Sequence, residues 1–451
     1  MPVDRLRVAI VGAGPSGIYA ADALTNQQDI PVEVDVLDRL AAPYGLVRYG
    51  VAPDHVSIRS VRDTLQKVLA KPGVRFLGNV DVDVDVTVAD LRSHYDAVIL
   101  TYGAARDRQL DIPGEDLHGS VAATDLVAWY CGHPDALSEQ IESVLSVARS
   151  VVVVGAGNVA IDVVRVLAKS REELAETDMP QHVLELLANT GIEDIHLLAR
   201  RGPAQATFTT KELKELGELA EADVVVAPED AELDAASAES LVTNKVAGRN
   251  VDVIRGWSTR QPQGRRRRIH LHFLTRPVSI NGSDGITSVT VERTRLDEHG
   301  AAHGTGQTFD LPADTVVRSV GYRGEGLEAV PFDSRRHVIP SRAGRVTAED
   351  GVVPGLYVAG WIKRGPTGII GTNKKDATET VTSLLEDAAS LPSAQARDVD
   401  LLEVLRERGV QVVTFTGWLK LDEAEIELGA QRGRARTTIH ERGRMLEIAQ
   451  G

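Results

Sequence analysis

Two glycine-rich hexapeptides carry the chemistry of this chain. Gly12, Gly14 and Gly17 fall in Gly12-Ala13-Gly14-Pro15-Ser16-Gly17, and the pattern returns as Gly155-Ala156-Gly157-Asn158-Val159-Ala160, with Ala160 at the third position. At this spacing the first glycine permits a tight turn. The second lets backbone approach a pyrophosphate, and the third lets a helix pack close to a strand. One such turn suggests a dehydrogenase. Two predict a protein that passes electrons from one bound dinucleotide to another. The acceptors of the two sites differ. Asp38 lies 21 residues past Gly17, where a carboxylate takes a free ribose 2′-hydroxyl and repels a 2′-phosphate. At the second site the corresponding place holds Arg200-Arg201. Adjacent arginines are ordinarily a solvated pair, but two guanidiniums placed there match a 2′-phosphate.

The elements needed to position these residues are legible. Residues 6–11 are a short apolar run that predicts a buried parallel strand, 18–24 a helix, and 32–37 a second strand ending at Asp38. Residues 151–154, 158–167 and 195–198 repeat the order, with an inserted helical stretch at 171–189. Asp38 suits FAD or NAD and the arginines suit NADPH. Two nicotinamide cofactors in one chain would exchange nothing useful, so FAD at the first turn and NADP(H) at the second form the expected hydride relay. Further strands are predicted as a pair within 72–86 and at 95–103, 268–274, 286–293, 314–320 and 356–359. The glycine-rich stretch 364–375 is followed by a predicted helix at 376–385. That helix N-terminus could hold negative charge on a reduced flavin, or the stretch could be an ordinary connection. An Ala/Ser/Pro linker is expected at 388–397. The fold class is therefore α/β, with two Rossmann-like domains and the NADP domain inserted into the FAD domain: 1–107 as the first part of the FAD domain, 108–330 as the NADP domain, and 331–451 as the second part with a C-terminal extension.

Composition narrows the function. Of 451 residues, 65 are acidic and 50 basic, a net charge of −15, which argues against general nucleic-acid binding. The single cysteine, Cys131, excludes a CxxC redox pair and a cysteine-ligated cluster within the chain. No apolar run approaches the ~18–20 residues of a membrane helix. The chain enters its first strand without signal-peptide architecture, so a cytoplasmic location is expected. Within this acidic chain Arg265-Arg266-Arg267-Arg268 stands out. It reads either as a solvated loop or as a landing patch for an acidic partner.

Several longer motifs resemble a known family. VAIVGAGPSG, PYGLVRYGVAPDH (43–55), GNVAIDVVRVL, RRGPAQATFTTKEL (200–213), RSVGYRG (318–324), GWIKRGPTGIIGTNKKDA (360–377) and GWLKLDEAEIELG (417–429) resemble the adrenodoxin-reductase-type NADPH–ferredoxin reductases, most of all their actinobacterial members. The resemblance implies FAD held by Gly14, Ser16, Asp38, Leu46, Val82, Trp361 and Gly368, Ile369 and Ile370. It implies NADPH held by Arg108, Ala156, Gly157, Asn158, Val159, Arg200, Arg201, Glu212 and Gly368. It places His55 and Glu215 as polar groups near the flavin ring, although a lone histidine and a helix glutamate are commonly structural. It implies single-electron transfer to a small acidic iron–sulfur protein of the ferredoxin class. Asp38 departs from the glutamate more usual in the family. Some relatives carry a ferredoxin-like N-terminal extension; none precedes the first turn here, so a separate acceptor is expected. Two readings compete: an FAD/NADPH oxidoreductase with a small-molecule acceptor of the diaphorase or quinone type, and a non-catalytic nucleotide sensor.

Overall fold

A computed structural model describes residues 5–451; the first four residues of the expected segment 1–107 lie outside it. The chain separates into two compact units. One comprises Met1–Arg106, Cys131–Asp135 and Tyr322–Gly451, and the other Asp107–Tyr130 and Ala136–Gly321.

The first unit is built on an eight-stranded sheet. Its order is Ser341–Arg342, Arg345–Ala348, Gly351–Val358, Ala97–Leu100, Leu6–Val11, Val32–Asp38, Val74–Gly78 and Val413–Thr414. The middle strands, from Gly351–Val358 to Val74–Gly78, are parallel, and antiparallel strands close both edges. Strand periodicity sends alternate residues to opposite faces. Val8, Ile10, Val34, Val36 and Ile99 accordingly bury on one side with Ile18, Leu24, Val381 and Leu384 of the helices Pro15–Asn26 and Ile370–Asp387. Ala9, Val11, Leu37, Val98 and Leu100 bury on the other. Both cores are largely aliphatic, as the scarcity of aromatic residues requires.

The second unit carries a six-stranded parallel sheet ordered Ser120–Ala122, Thr315–Arg318, Ser150–Val154, Asp194–Leu198, Arg267–His272 and Ala222–Val226. A three-stranded antiparallel sheet, Thr275–Gly282, Ile286–Leu296 and Ala302–Pro312, accompanies it. Val289, Val291 and Leu311 from that sheet share one core with Val152, Val154 and Leu198.

Two local expectations change. Residues 72–86 do not form a strand pair. Only Val74–Gly78 is a strand, and beyond it Asp83 takes φ +77°, a turn conformation, with a single bridge between Val82 and Val86. The helix expected at 376–385 runs from Ile370 to Asp387, so Gly371 lies in its first turn rather than in the loop before it.

Candidate functional site

Each glycine turn follows the strand at which its sheet changes direction. Leu6–Val11 has Val32–Asp38 on one side and Ala97–Leu100 on the other. Ser150–Val154 likewise lies between Asp194–Leu198 and Thr315–Arg318. The strands on either side of such a point diverge at their carboxyl ends, and a crevice opens there.

In the first turn Gly12 sits at φ +107°, and a Cβ there would lie 2.8 Å from the Thr101 backbone. Gly17 must be glycine for contact: an added Cβ would come within 2.0 Å of the Gly12 carbonyl oxygen. The Thr101 hydroxyl ties this corner by donating to the carbonyls of Val11 and Gly12, each at 2.9 Å. Gly14 is different. A Cβ on it would meet only the Gly45 Cα, at 3.9 Å. Among the described residues nothing else comes near a Cβ on Gly14, and the facing residue is itself glycine. Tyr44, at φ +86°, holds that opposing loop by donating its N–H to Ala13, 2.8 Å. A bare backbone lane at a helix N-terminus fits a pyrophosphate. At the end of the second strand Asp38 accepts the N–H of Ala13 (2.7 Å) and of Leu40 (2.9 Å). Burial pushes its carboxyl above the ordinary value, while these two amides pull it down. Each oxygen keeps a lone pair for a ribose hydroxyl, so the residues present fit a dinucleotide with free ribose hydroxyls.

Ser16 donates to the Asn373 side-chain oxygen at 2.9 Å, joining the turn to the helix Ile370–Asp387. Arg364 donates to the same oxygen at 2.6 Å and pairs with Asp376 at 2.8 Å. Asp376 also accepts the Gly360 N–H at 2.5 Å and pairs with Lys363 at 2.9 Å. This polar lattice fixes the start of Trp361–Arg364, where Trp361 lies 5.5 Å from the Tyr322 ring. Leu46 begins the short helix Leu46–Tyr49. Gly368 turns at φ +85°, Ile369 projects into solvent, and Val82 is buried. His55 is buried at the N-cap of Val56–Arg59.

The second turn repeats the design with a different brace. A Cβ on Gly155 would strike the Ser319 carbonyl at 2.2 Å, whereas one on Gly157 would meet only the Thr207 hydroxyl at 3.7 Å. The open lane is again at the middle glycine. Thr207 donates both its N–H and its hydroxyl to Ala156, each at 3.0 Å, and Thr209 donates its N–H to the Asn158 side chain at 3.0 Å. Glu212, buried, accepts the Thr209 hydroxyl at 3.0 Å and completes a helix cap. The roles of Thr207 and Thr209 were not anticipated; their position inside RRGPAQATFTTKEL was the available signal. Val159 continues the helix Asn158–Ala168. Arg108 donates its N–H to Gly321 at 3.0 Å.

Arg200 and Arg201 follow the strand Asp194–Leu198 and are exposed. Neither guanidinium pairs with a carboxylate among the described residues, which suits an anionic ligand. Glu215 lies on Thr210–Leu216 with a carboxylate oxygen 3.5 Å from the buried Arg165 guanidinium. The expected landing patch is corrected in part. The run opens the strand Arg267–His272, and strand alternation turns Arg267 inward. Its side chain is 1% exposed and donates to the carbonyls of Ala168 and Lys169, so Arg267 cannot meet a partner. Arg265 caps Leu219 and Ala222. Arg266 and Arg268 keep 47% and 49% of their side chains exposed, although Arg268 grips Asp194 at 2.5 Å.

Two dinucleotide turns, one ending in an acid and the other in arginines that pair with no carboxylate among the described residues, define an oxidoreductase that couples a pyridine nucleotide to a second dinucleotide. The pyridine nucleotide-disulphide oxidoreductase family model matches residues 6–217. The chain is 43% identical to NADPH-ferredoxin reductase FprA of Mycobacterium tuberculosis over 98% of its own length and 99% of the relative's. It is 36% identical to the mitochondrial NADPH:adrenodoxin oxidoreductase of Arabidopsis thaliana, over 96% and 93%. The solved structure of M. tuberculosis FprA in complex with NADPH superposes with a TM-score of 0.92 at 41% identity, covering 99% of this chain and 100% of that one. The chain belongs to the adrenodoxin-reductase-type NADPH–ferredoxin reductases. Among the described residues no helix is long and apolar enough to cross a membrane.

Proposed function

We propose that this protein takes electrons from NADPH and delivers them singly to a ferredoxin-type iron–sulfur protein, with FAD at the first turn and NADPH at the second. The observation that carries this reading is the opposed chemistry at two equivalent strand ends, Asp38 at one and Arg200 with Arg201 at the other. Bound FAD supplies the change from a two-electron donor to a one-electron donor. The chain's residues bind and orient. The Gly14–Gly45 lane admits one pyrophosphate, with Ser16 and the N-terminus of Pro15–Asn26 beside it, and Asp38 accepts the ribose hydroxyls. Leu46, Val82, Trp361, Gly368, Ile369 and Ile370 complete that site. Ala156, Gly157, Asn158 and Val159 receive the second pyrophosphate, Arg200 and Arg201 clamp the 2′-phosphate, and Arg108 and Glu212 complete the pocket. His55 and Glu215 are assigned as the polar groups beside the reacting rings; Arg165 keeps Glu215 in place.

The partner is a small acidic iron–sulfur protein, and docking is assigned to Arg266 and Arg268, the exposed members of their run. The activity is assigned to the cytoplasm, in keeping with a sole cysteine, Cys131, that is buried and in no disulfide. The test is spectroscopic. Anaerobic NADPH should bleach the flavin bands of the purified protein, and a [2Fe–2S] ferredoxin should restore them while becoming reduced. Bands that bleach and never return with ferredoxins, but return with a quinone, would favour a small-molecule acceptor. A colourless protein that FAD cannot reconstitute would refute the assignment of the first turn.

A further inference from the structure

One group of metal-ligating side chains lies outside both dinucleotide turns. In the second unit, parallel pairing sets His270 beside His196 and His272 beside Leu198. Asp194, His196 and His270 therefore share one face of the sheet with His272. Further along, this face is closed by the apolar core of Val152, Val154 and Leu198; at Asp194 and His270 it opens, with about a quarter of each side chain exposed (25% and 22%). The His196 and His270 rings stack at 4.5 Å. His270 Nε2 lies 2.7 Å from an Asp194 oxygen, and His196 Nδ1 lies 3.0 Å from His272 Nε2. One ligand atom each from Asp194, His196 and His270 all fall within 4.8 Å of one another.

We propose that Asp194, His196 and His270 form a binding site for a divalent transition-metal ion of the zinc type, with His272 as the positioning partner of His196. The donor set is two imidazoles and a carboxylate, which suits a borderline ion and leaves a fourth position for water. Bonds of about 2.0–2.1 Å in a tetrahedral site put ligand atoms about 3.3 Å apart, so the present atoms, all within 4.8 Å of one another with His270 Nε2 2.7 Å from Asp194, must shift by up to about 1.5 Å to close on an ion. His272 is in turn backed by Asp230, 3.9 Å from its Nδ1, which Arg293 holds at 2.6 Å. An outer row of this kind fixes ring orientation in metal sites. One feature opposes binding: Arg268 donates to both oxygens of Asp194 at 2.6 and 2.5 Å, so an entering ion must share or displace that guanidinium.

The experiment is calorimetric titration of Zn²⁺ into the flavin-loaded full chain after chelator treatment, with metal content measured after dialysis. The proposal expects one equivalent bound. The paired change His196→Asn with His270→Asn should weaken it at least 100-fold while NADPH-driven dye reduction persists, and His272→Gln should weaken it roughly 10- to 100-fold. No binding, or equal binding by the paired variant, overturns the site. Should the paired variant lose its flavin, Arg268→Gln decides instead: about tenfold tighter binding supports the assignment, and unchanged affinity overturns it.

Discussion

Replacing Arg200 and Arg201 by alanine tests the assignment of the second turn most directly. The strand Asp194–Leu198 delivers a buried Ala199 and then two exposed arginines without acidic partners among the described residues. A hydrogen bond to a charged group contributes about 1.5–3 kcal/mol, and exposure to water puts each guanidinium near the lower end. About 1.4 kcal/mol is a factor of ten, so each single alanine should raise the KM for NADPH about tenfold. Adjacent residues sharing one phosphate do not add fully, so the double variant should reach roughly 30- to 100-fold. NADH lacks the 2′-phosphate, so its kcat/KM should stay within about twofold. Steady-state reduction of a dye with each nucleotide, at low and high salt, gives the comparison. Salt should erode the NADPH advantage of the unaltered protein and leave NADH untouched. Parallel losses with both nucleotides would mean that the arginines support the fold, and no loss with either would place the 2′-phosphate elsewhere.

Other expectations follow from the same geometry. Gly14→Ala adds a methyl group that meets only Gly45 at 3.9 Å, so the protein should fold and purify with little FAD. Gly17→Ala puts a methyl group 2.0 Å from a backbone oxygen, and should lower both flavin content and thermal stability; a yellow, stable Gly17→Ala protein would contradict the packing described. Glu425 is fully buried between Arg48 (2.5 Å) and Arg436 (3.0 Å). Its removal as Glu425→Gln leaves the buried Arg48 without this carboxylate and Arg436 with Asp422 alone, at 2.6 Å, and should destabilise the first unit by about 3 kcal/mol or more in denaturant titration. Burial pushes the Glu425 carboxyl up, but the two arginines and the Ile439 amide outweigh it and hold it below its ordinary value. Its contribution is therefore complete above the unfolded pKa of about 4.3 and is lost as pH falls through the lower folded value. Melting temperatures should drop steeply below about pH 4, and less steeply in Glu425→Gln. Arg266→Glu should raise the KM for ferredoxin about three- to tenfold at low salt and spare dye reduction; equal loss of both activities would remove Arg266 from docking.

What could be read from the sequence divides along a physical line. The fold class and both glycine turns were legible because in each turn the strand, the glycines and the following helix are contiguous in the chain, where strand and helix periodicities speak directly. The arginine run shows the limit of charge counting. Four cations in a row look like a surface patch, yet a strand alternates, and every second side chain must face the interior or its cover. The first unit's buried Arg48–Glu425–Arg436 cluster was invisible for another reason. Arg48 and Glu425 are 377 residues apart in the chain, and no local pattern announces a charge that is acceptable only because its partner arrives from the far end. Tyr44 accepting the Trp418 indole N–H at 3.2 Å is a second tie of that kind. The segment that carries GWLKLDEAEIELG therefore buttresses the loop opposite Gly14.

The family description invokes disulfide chemistry, and these residues lack the internal dithiol that such chemistry uses. Reduction of a disulfide by an internal dithiol needs two thiols in exchange distance, and these 451 residues hold one, Cys131, buried and donating towards the Val51 carbonyl at 3.4 Å. What the chain retains is the pair of nucleotide turns, each with its middle glycine left bare, one followed by a strand ending in Asp38 and the other by a strand leading to Arg200 and Arg201. A scaffold that keeps both turns and lacks the dithiol can still move electrons between two dinucleotides, and in the proposed assignment Arg200 and Arg201 are the residues that select the nucleotide. Selectivity for NADPH should thus be separable from flavin binding: Arg200→Ala should change the first and leave the second intact, and Gly14→Ala the reverse. A single substitution at either place that altered both would show that the two turns do not act as independent sites.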